Sequence, residues 1–458
     1  MIYDNTFNDE FYLDGSWFVP DVEEKKINGS LKYIPHQKII LKLIGSFSTI
    51  QPHFIKYIYG YVENGSKVTL INCSLRRQQY TGVGVCEWEV EYIISGNYFN
   101  DESLVFDKFS LEIDGLSEWL DISGFTILSE FSQDEIILRH QKPKPIRFNI
   151  SKEVKCELKF STRYPYEIKD ELKIKQFVSF KVIAVSEPIT FDFIIGFLKK
   201  IESFISFVRY KKSTTTGLWA EPVSDNDSDF SSYIFFINDD SSTNRRYKAL
   251  FPYDLFKDKL GNTIERWFDL NSSLPEVIEV VCNNIDDTRK HTINEFLDFA
   301  RSLEAYHTKN FNRARVDKKE YDDMITKVKE SLPEDIYTFF KSKFDYGNTL
   351  SLHERLEELL RLVDFGSIKD VVLDNESFIK QVKHSRNHYT HLNDNKKKHI
   401  LTGKELILAT DKIKVIIITL IILDLGLDKK IVDEISQEYK WFFPFLYQQM
   451  FKKNKAKM

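Results

Sequence analysis

Arg386-Asn387-His388-Tyr389-Thr390-His391 is the stretch on which the reading of the C-terminal part turns. It joins a permanent cation, an amide and an imidazole within one short run. Four of the chain's ten histidines fall between His384 and His399. From Phe378 to Ile400 there are six Lys/Arg (Lys380, Lys383, Arg386, Lys396, Lys397, Lys398) against one acid, Asp394, while the whole chain has a formal charge of −5. A local cationic site in a slightly acidic chain is what an anionic ligand requires. A solvated helix end would have the same composition.

Around this stretch the period is helical. Glu376 to Thr390 is read as one helix with Ile379, Val382, Arg386 and Tyr389 on one face, so Arg386 points toward the packed side. His391 then lies about 140° around the axis from Arg386. The two converge on one phosphate only if the helix ends before His391 or a second copy of the chain contributes. His384, His388 and His391 are spaced i, i+4, i+7 and would form a stripe able to bind zinc. No cysteine completes such a site and Lys383 and Arg386 would oppose a dication, so the reading is no metal and, for His384 and His388, a solvated stripe.

A preceding helix puts Ile293, Phe296, Leu297, Ala300 and Leu303 on one face, which Glu304 and His307 continue. A carboxylate beside an apolar stripe needs a partner. Glu304 either pairs with Arg301 at i, i+3, or reaches the basic site on a neighbouring helix and orients Arg386 or a histidine there. A later helix carrying Leu406, Ala409, Ile413, Ile416, Ile417 and Leu420 is expected to begin with a Thr402-x-x-Glu405 capping box and to end near Gly426. It reads as the centre of a helical bundle.

Residues 1 to about 190 have a different period. Val85-Cys86-Glu87-Trp88-Glu89-Val90 alternates, and Lys67 to Leu75, Phe109 to Ile113 and Phe177 to Val185 read similarly, as half-buried antiparallel strands. Gly82-Val83-Gly84 is taken as a hairpin turn, because neither a third glycine nor a helix start follows it. After Pro188 the residues Ile194, Phe197, Leu198, Ile201, Ile205 and Val208 fall at helical spacing, giving a helix to pack on the sheet. Ser213 to Asn244 reads as polar loops around a Tyr233 to Ile237 strand. The fold class is therefore α+β: an aromatic-rich, mainly antiparallel β N-terminal domain over 1–285, with helices after about 190, then an all-α domain of four or five helices over 286–458.

Length, at 458 residues, and 42% hydrophobic and 14% aromatic content fit a multidomain globular chain. Cys73, Cys86, Cys156 and Cys282 show no CxxC spacing and read as core thiols of a reducing cytoplasm. No secretory signal is expected at the start. The apolar run Val415 to Leu423, nine residues between Lys414 and Asp424, is too short to span a bilayer as a helix.

The R-N-x-x-x-H pattern of Arg386, Asn387 and His391, late in a helix of an all-α region, resembles the signature of the HEPN superfamily, many of whose members are metal-independent ribonucleases. The rest of the chain resembles its ApeA-like branch, associated with bacterial anti-phage defence. The matching segments are Gly15-Ser16-Trp17-Phe18-Val19-Pro20, Gly60-Tyr61 with Val68-Thr69-Leu70, Leu116-Ser117-Glu118-Trp119-Leu120, Ser302-Leu303-Glu304-Ala305-Tyr306-His307 and Ser351-Leu352-His353-Glu354-Arg355-Leu356.

The resemblance implies a cytoplasmic endoribonuclease, an antiviral effector of abortive infection. It implies a homodimer or higher oligomer through the HEPN domain, bringing two such motifs into one cleft, and an N-terminal domain that senses a phage-derived trigger or restrains activity. In that chemistry histidine, with a pKa near 6.5, takes the proton of a ribose 2′-hydroxyl. Arginine stabilises charge on the phosphorane oxygens. The candidate catalytic residues are Arg386, Asn387, His391 and Glu304. Asn387 orients the phosphate or fixes the His391 tautomer, or else bonds the helix end. Lys383, Lys396, Lys397 and Lys398 are candidate RNA-binding residues, and no cofactor is expected. The alternative is a non-catalytic HEPN protein binding RNA, a nucleotide or a protein partner through the same groove.

Overall fold

The structure, a computed structural model, describes residues 6–20, 24–48, 52–79, 84–128, 137–164, 172–223, 231–238, 248–285, 292–311, 314–345, 347–371, 375–391 and 399–455. The chain divides into two compact units, Met1–Glu265 and Arg266–Met458.

The first unit contains β1 (Phe11–Phe18), β2 (Ile27–Tyr33), β3 (Ile39–Ile44), β4 (Phe54–Val62), β5 (Lys67–Gln79), β6 (Val85–Ser95) and β7 (Val105–Ile113). There follow a short helix α1 (Leu116–Leu120), β8 (Phe125–Ile127), β9 (Leu138–His140), β10 (Ile146–Asn149), β11 (Val154–Arg163), β12 (Lys175–Ala184), β13 (Ile189–Thr190), α2 (Phe191–Arg209), β14 (Thr215–Pro222) and β15 (Ser232–Phe236). Antiparallel pairing runs β6-β3-β2-β1-β4-β5 and returns from β5 to β6. The ladder is thus closed, a barrel without free edges along this circuit. Its interior is filled by the inward residues of each strand, among them Trp17, Leu31, Leu41, Ile58, Leu70 and Trp88. The alternation in β6 holds, with Cys86, Trp88 and Val90 buried.

The barrel leaves no room for a side chain at Gly60. Gly60 pairs directly with Trp17 across β1 and β4, and a Cβ there would stand 2.3 Å from Cζ3 of the Trp17 indole. Trp17 is fully buried and its indole N–H donates to the Gly29 carbonyl at 3.0 Å, so the ring has a fixed place. Gly60→Ala is expected to destabilise the protein by about 1–3 kcal/mol through overpacking, read as a lower urea midpoint. An unchanged midpoint would mean that the indole can move aside.

A second set of strands extends β6 in the order β15-β14-β7-β12-β11-β10, with β13 on β7 and β8-β9 as a separate pair. Strand β6 serves both systems: Val85 to Val90 pair with β3, and Tyr92 to Ile94 pair with β15. One face of this second sheet is covered by α2, whose Ile194, Phe197, Leu198, Ile201, Ile205 and Val208 are all buried. Phe197 meets Phe109 of β7 and Phe180 of β12 with ring centroids 5.4 and 5.6 Å apart. Thr190 caps α2 by accepting from the Phe193 N–H, a replacement for the hydrogen bonds a helix start lacks. No disulfide joins Cys73, Cys86, Cys156 or Cys282, and burial pushes the Cys73 and Cys156 thiols up. The Gly82-Val83 turn lies outside the described residues.

Helix α3 (Leu260–Ser273) runs through the division between units. The second unit continues with α4 (Pro275–Asn283), α5 (Thr292–Phe311), α6 (Lys318–Ser331), α7 (Glu334–Asp345), α8 (Leu352–Leu362), α9 (Ile368–Val371), α10 (Asn375–His391), α11 (Gly403–Asp424), α12 (Lys429–Ser436), α13 (Tyr439–Phe442) and α14 (Pro444–Lys455). This division falls earlier than the 285/286 boundary drawn from the sequence, because α4 packs on α5 and belongs with the helices that follow. Beyond residue 285 there are ten helical segments among the described residues, where four or five were expected. The excess is α6 and α7, which have no buried residues and so no broad apolar stripe to announce them, and single-turn pieces such as α9 and α13.

Helix α11 is the bundle centre, with Leu406, Ala409, Ile413, Ile416, Ile417 and Leu420 all buried, and α5, α12 and α14 against it. Its buried Lys414 pairs with Glu295 of α5 and lies 5.3 Å from the centroid of the Phe299 ring, which gives that charge the partner its burial demands. The expected capping box at Thr402 does not form. Thr402 holds the N-cap position, but the helix is entered through Gly403 at φ +50°, and the threonine hydroxyl makes no cap bond. A complete capping box sits instead at α8, between Ser351 and Glu354. Among the described residues no helix is long and apolar enough to cross a membrane.

Candidate active site

Three helices build the site. Helix α10 carries the Arg386 to His391 motif, and α5 and α8 pack on it and on each other. The inward face of α10 is Ile379, Val382 and Ser385, all buried, followed at helical spacing by Arg386 and Tyr389. Tyr389 meets Phe296 of α5 edge-on at 6.3 Å. Its hydroxyl donates to the Leu401 carbonyl at 2.7 Å, and the Leu401 N–H donates to Ser385 Oγ at 2.8 Å. Both backbone groups of Leu401 are therefore clamped to α10, and burial raises the Tyr389 pKa. Nothing in the sequence singles out Ser385 and Leu401, because each does its work through a backbone partner.

Arg386 meets Glu304 of α5. Nη2 donates to Glu304 Oε2 at 3.2 Å, and Nε stands 3.0 Å from Oε1. The second contact is an ion pair off the line of the N–H, since neither atom completes a hydrogen bond. Nη1 donates to Asn387 Oδ1 at 3.2 Å. Two N–H groups of the guanidinium thus donate to Glu304 and Asn387, and a third, on Nε, is taken up in the ion pair. An arginine has five, so two remain, directed at no other acceptor among the described residues. Glu304 pairs with Arg386 and not with Arg301, which turns to Asp298 at 3.9 Å. Among the described residues Asn387 is engaged with neither His391 nor the helix end; its carbonyl oxygen braces the guanidinium.

His391 is the last residue of α10 and is exposed. The helix continues to this residue, so it does not end early enough to swing the imidazole toward Arg386, and the two remain on different sides of α10. Lys383 is half-buried on the same helix. Lys396, Lys397 and Lys398 lie outside the described residues. The histidines are not gathered as a metal-binding stripe: His384 stacks on His399 with centroids 5.6 Å apart, and His388 meets the edge of Tyr389 at 5.2 Å. Among the described residues no group of three or more His, Cys, Asp or Glu is placed to hold a metal ion.

His307 continues the Glu304 face of α5, as its spacing predicts, but it is 2% exposed and its Nε2 lies 2.7 Å from Glu358 Oε2 of α8. This pair ties α5 to α8 one turn from the Glu304 to Arg386 contact. The sequence does not single out Glu358, since α8 contains three glutamates, Glu354, Glu357 and Glu358, and only the fold decides which one faces α5. Arg355 of α8 adds a 2.6 Å bond from Nη1 to Thr308 Oγ1.

Two family descriptions cover most of the chain. Residues 13–267 match the ApeA N-terminal domain 1, and residues 297–431 match the Apea-like HEPN domain. No curated protein and no solved structure matches the chain. The first match alone spans more than half of the sequence, and the second contains Glu304, Arg386, Asn387 and His391. The chain belongs to the ApeA-like HEPN family.

Proposed function

We propose that this protein is a metal-independent endoribonuclease, working in the cytoplasm as an effector of anti-phage abortive infection. The observation that carries the proposal is an arginine braced by Glu304 and Asn387, with two N–H groups that meet no acceptor among the described residues, on the helix that ends in an exposed His391. Bracing matters because a preorganised cation stabilises developing phosphorane charge without reorganising as the reaction proceeds. Glu304 and Asn387 act here as positioning residues. His391 takes the 2′-hydroxyl proton, and Lys383, Lys396, Lys397 and Lys398 hold the RNA backbone by charge.

In this reading two copies of the chain pair through their HEPN domains, since Arg386 and His391 of one chain lie on different sides of α10. Mixing the Arg386→Ala and His391→Ala proteins is expected to restore part of the lost activity, because some mixed pairs keep one intact arginine and one intact histidine in the same cleft. Full activity in a demonstrated wild-type monomer would exclude the shared site. The primary test is RNA integrity in cells after induced expression, with sequencing of the new RNA ends. Degradation with wild type and none with His391→Ala is expected. Intact RNA with both proteins would favour a binding protein over an enzyme.

A further inference from the structure

The second sheet of the N-terminal unit has one face under α2. Its opposite face holds a cleft of about 340 Å³ between β11, β12, β7 and β14, within the size of small-ligand sites, roughly 300–1,000 Å³. We infer that this cleft is a binding site for a mononucleotide, with its phosphate toward β11 and β12 and its base on Trp219. The inference is independent of the proposed cleavage chemistry and rests only on this face.

The register sets out the parts. Lys181 of β12, Ser110 of β7, Trp219 of β14 and Tyr233 of β15 are direct neighbours in one row across the sheet. Lys181 and Trp219 are two strand spacings apart, about 10 Å, a span on the scale of a nucleotide from phosphate to base. Lys159 pairs with Ser179 on the next row. Arg163 is held with its guanidinium carbon 5.0 Å from the centroid of the Phe177 ring, so Lys159, Arg163 and Lys181 run along the β11 and β12 side of the cleft, with Lys159 and Lys181 on adjacent rows and Arg163 further along the strand. Two carboxylates, Glu112 and Glu221, also line the cleft, and Glu221 is already neutralised by Lys108.

The floor is small and polar. Ser110 and Ser179 are 8% and 4% exposed and line the cleft. Their hydroxyls can donate or accept, so the floor presents two such groups to a ligand in the cleft. At the other end Gly217 pairs with Glu112. A Cβ on Gly217 would lie 3.4 Å from the Trp219 ring and 3.8 Å from Glu112 Cβ, so the missing side chain leaves open the space over the indole. An aromatic face accepts any base by stacking, and the Glu112 carboxylate beside it accepts from a ring N–H or an amino group.

Cations crowd one another around Lys181. Burial first, then Lys108 and Lys159, push the Lys181 amine down, against the opposite pull of Glu221 and Glu157. Burial pushes the Glu112 carboxyl up, against Arg163 and Lys175. An incoming phosphate would relieve the crowding of cations around Lys181.

The test is calorimetric titration of the full-length protein with GMP, AMP, UMP and CMP, and with guanosine and inorganic phosphate as the separated halves. At least one mononucleotide is expected to bind with a dissociation constant below about 1 mM, at least tenfold more tightly than either half. Lys181→Gln and Gly217→Leu should each weaken it tenfold or more, the first by removing charge and the second by filling the space over Trp219. Gly217 lies outside the left-handed backbone region, so leucine there adds bulk without backbone strain. Should Gly217→Leu fail to fold, Lys159→Gln combined with Lys181→Gln decides the matter. No binding of any nucleotide at millimolar concentration, phosphate binding as tightly as the nucleotide, or undiminished binding in the variants overturns the inference.

Discussion

His391→Ala is expected to slow RNA cleavage by about a hundredfold to ten-thousandfold, the usual contribution of one positioned general base. Its fold should be untouched, because His391 is exposed at the last position of α10 and surface substitutions ordinarily stay within about 0.5 kcal/mol. Arg386→Ala should lose comparable activity but is not silent for stability. It strips the cation from Glu304, whose side chain is only 22% exposed, and leaving a charged group unsatisfied costs about 1–3 kcal/mol. Arg386→Lys separates the two effects: it keeps a charge for Glu304 but loses the planar fork, so cleavage should fall while the thermal midpoint recovers. Wild-type rates in a folded His391→Ala protein would remove the assignment. His384→Ala should do far less, since that ring is stacked on His399, and an equal loss there would reopen the metal reading.

The second large effect is all-or-none. If the 2′-hydroxyl is the nucleophile, its attack on the adjacent phosphorus expels the 5′-oxygen and leaves a 2′,3′-cyclic phosphate and a 5′-hydroxyl. A substrate with a 2′-deoxy sugar at the scissile position should therefore resist cleavage completely. It should still bind, since phosphate contacts dominate affinity and are unchanged. Cleavage of the normal substrate should persist in excess EDTA, with Arg386 supplying the positive charge. Binding should weaken with salt and on neutralising Lys396, Lys397 and Lys398. Products carrying 5′-phosphates, or activity lost to chelation and restored by zinc or magnesium, would show that the arginine and histidine mechanism is wrong.

Periodicity made the α+β class readable because the elements that matter most have one wet and one dry face. The alternation of Cys86, Trp88 and Val90 and the helical stripe from Ile194 to Val208 both survive intact in the structure. Barrel closure was not readable, since nothing in β5 or β6 alone says that they also pair with each other. Ile293, placed on the apolar face of α5, is 42% exposed: in the first turn of a helix there is little above it to be packed against. In the site, Arg386 on the inward side of α10 followed from helix geometry. Its partner did not, because Glu304 had a plausible local cation in Arg301, and choosing between them required knowing that α10 lies against α5. Asn387 was assigned to ligand, tautomer or helix end, whereas a residue beside an arginine can serve the arginine itself.

Strand β6 gives the N-terminal unit an all-or-none character. Half of it completes the circuit with β3 and the other half carries β15, so opening the barrel there withdraws support from β15, whose Tyr233 and Phe235 line the Trp219 cleft. Cooperativity is thereby written into the hydrogen bonding of a single strand, and damage at Gly60, far along the circuit, would be felt as a loss of order at the nucleotide cleft and not as a local blemish.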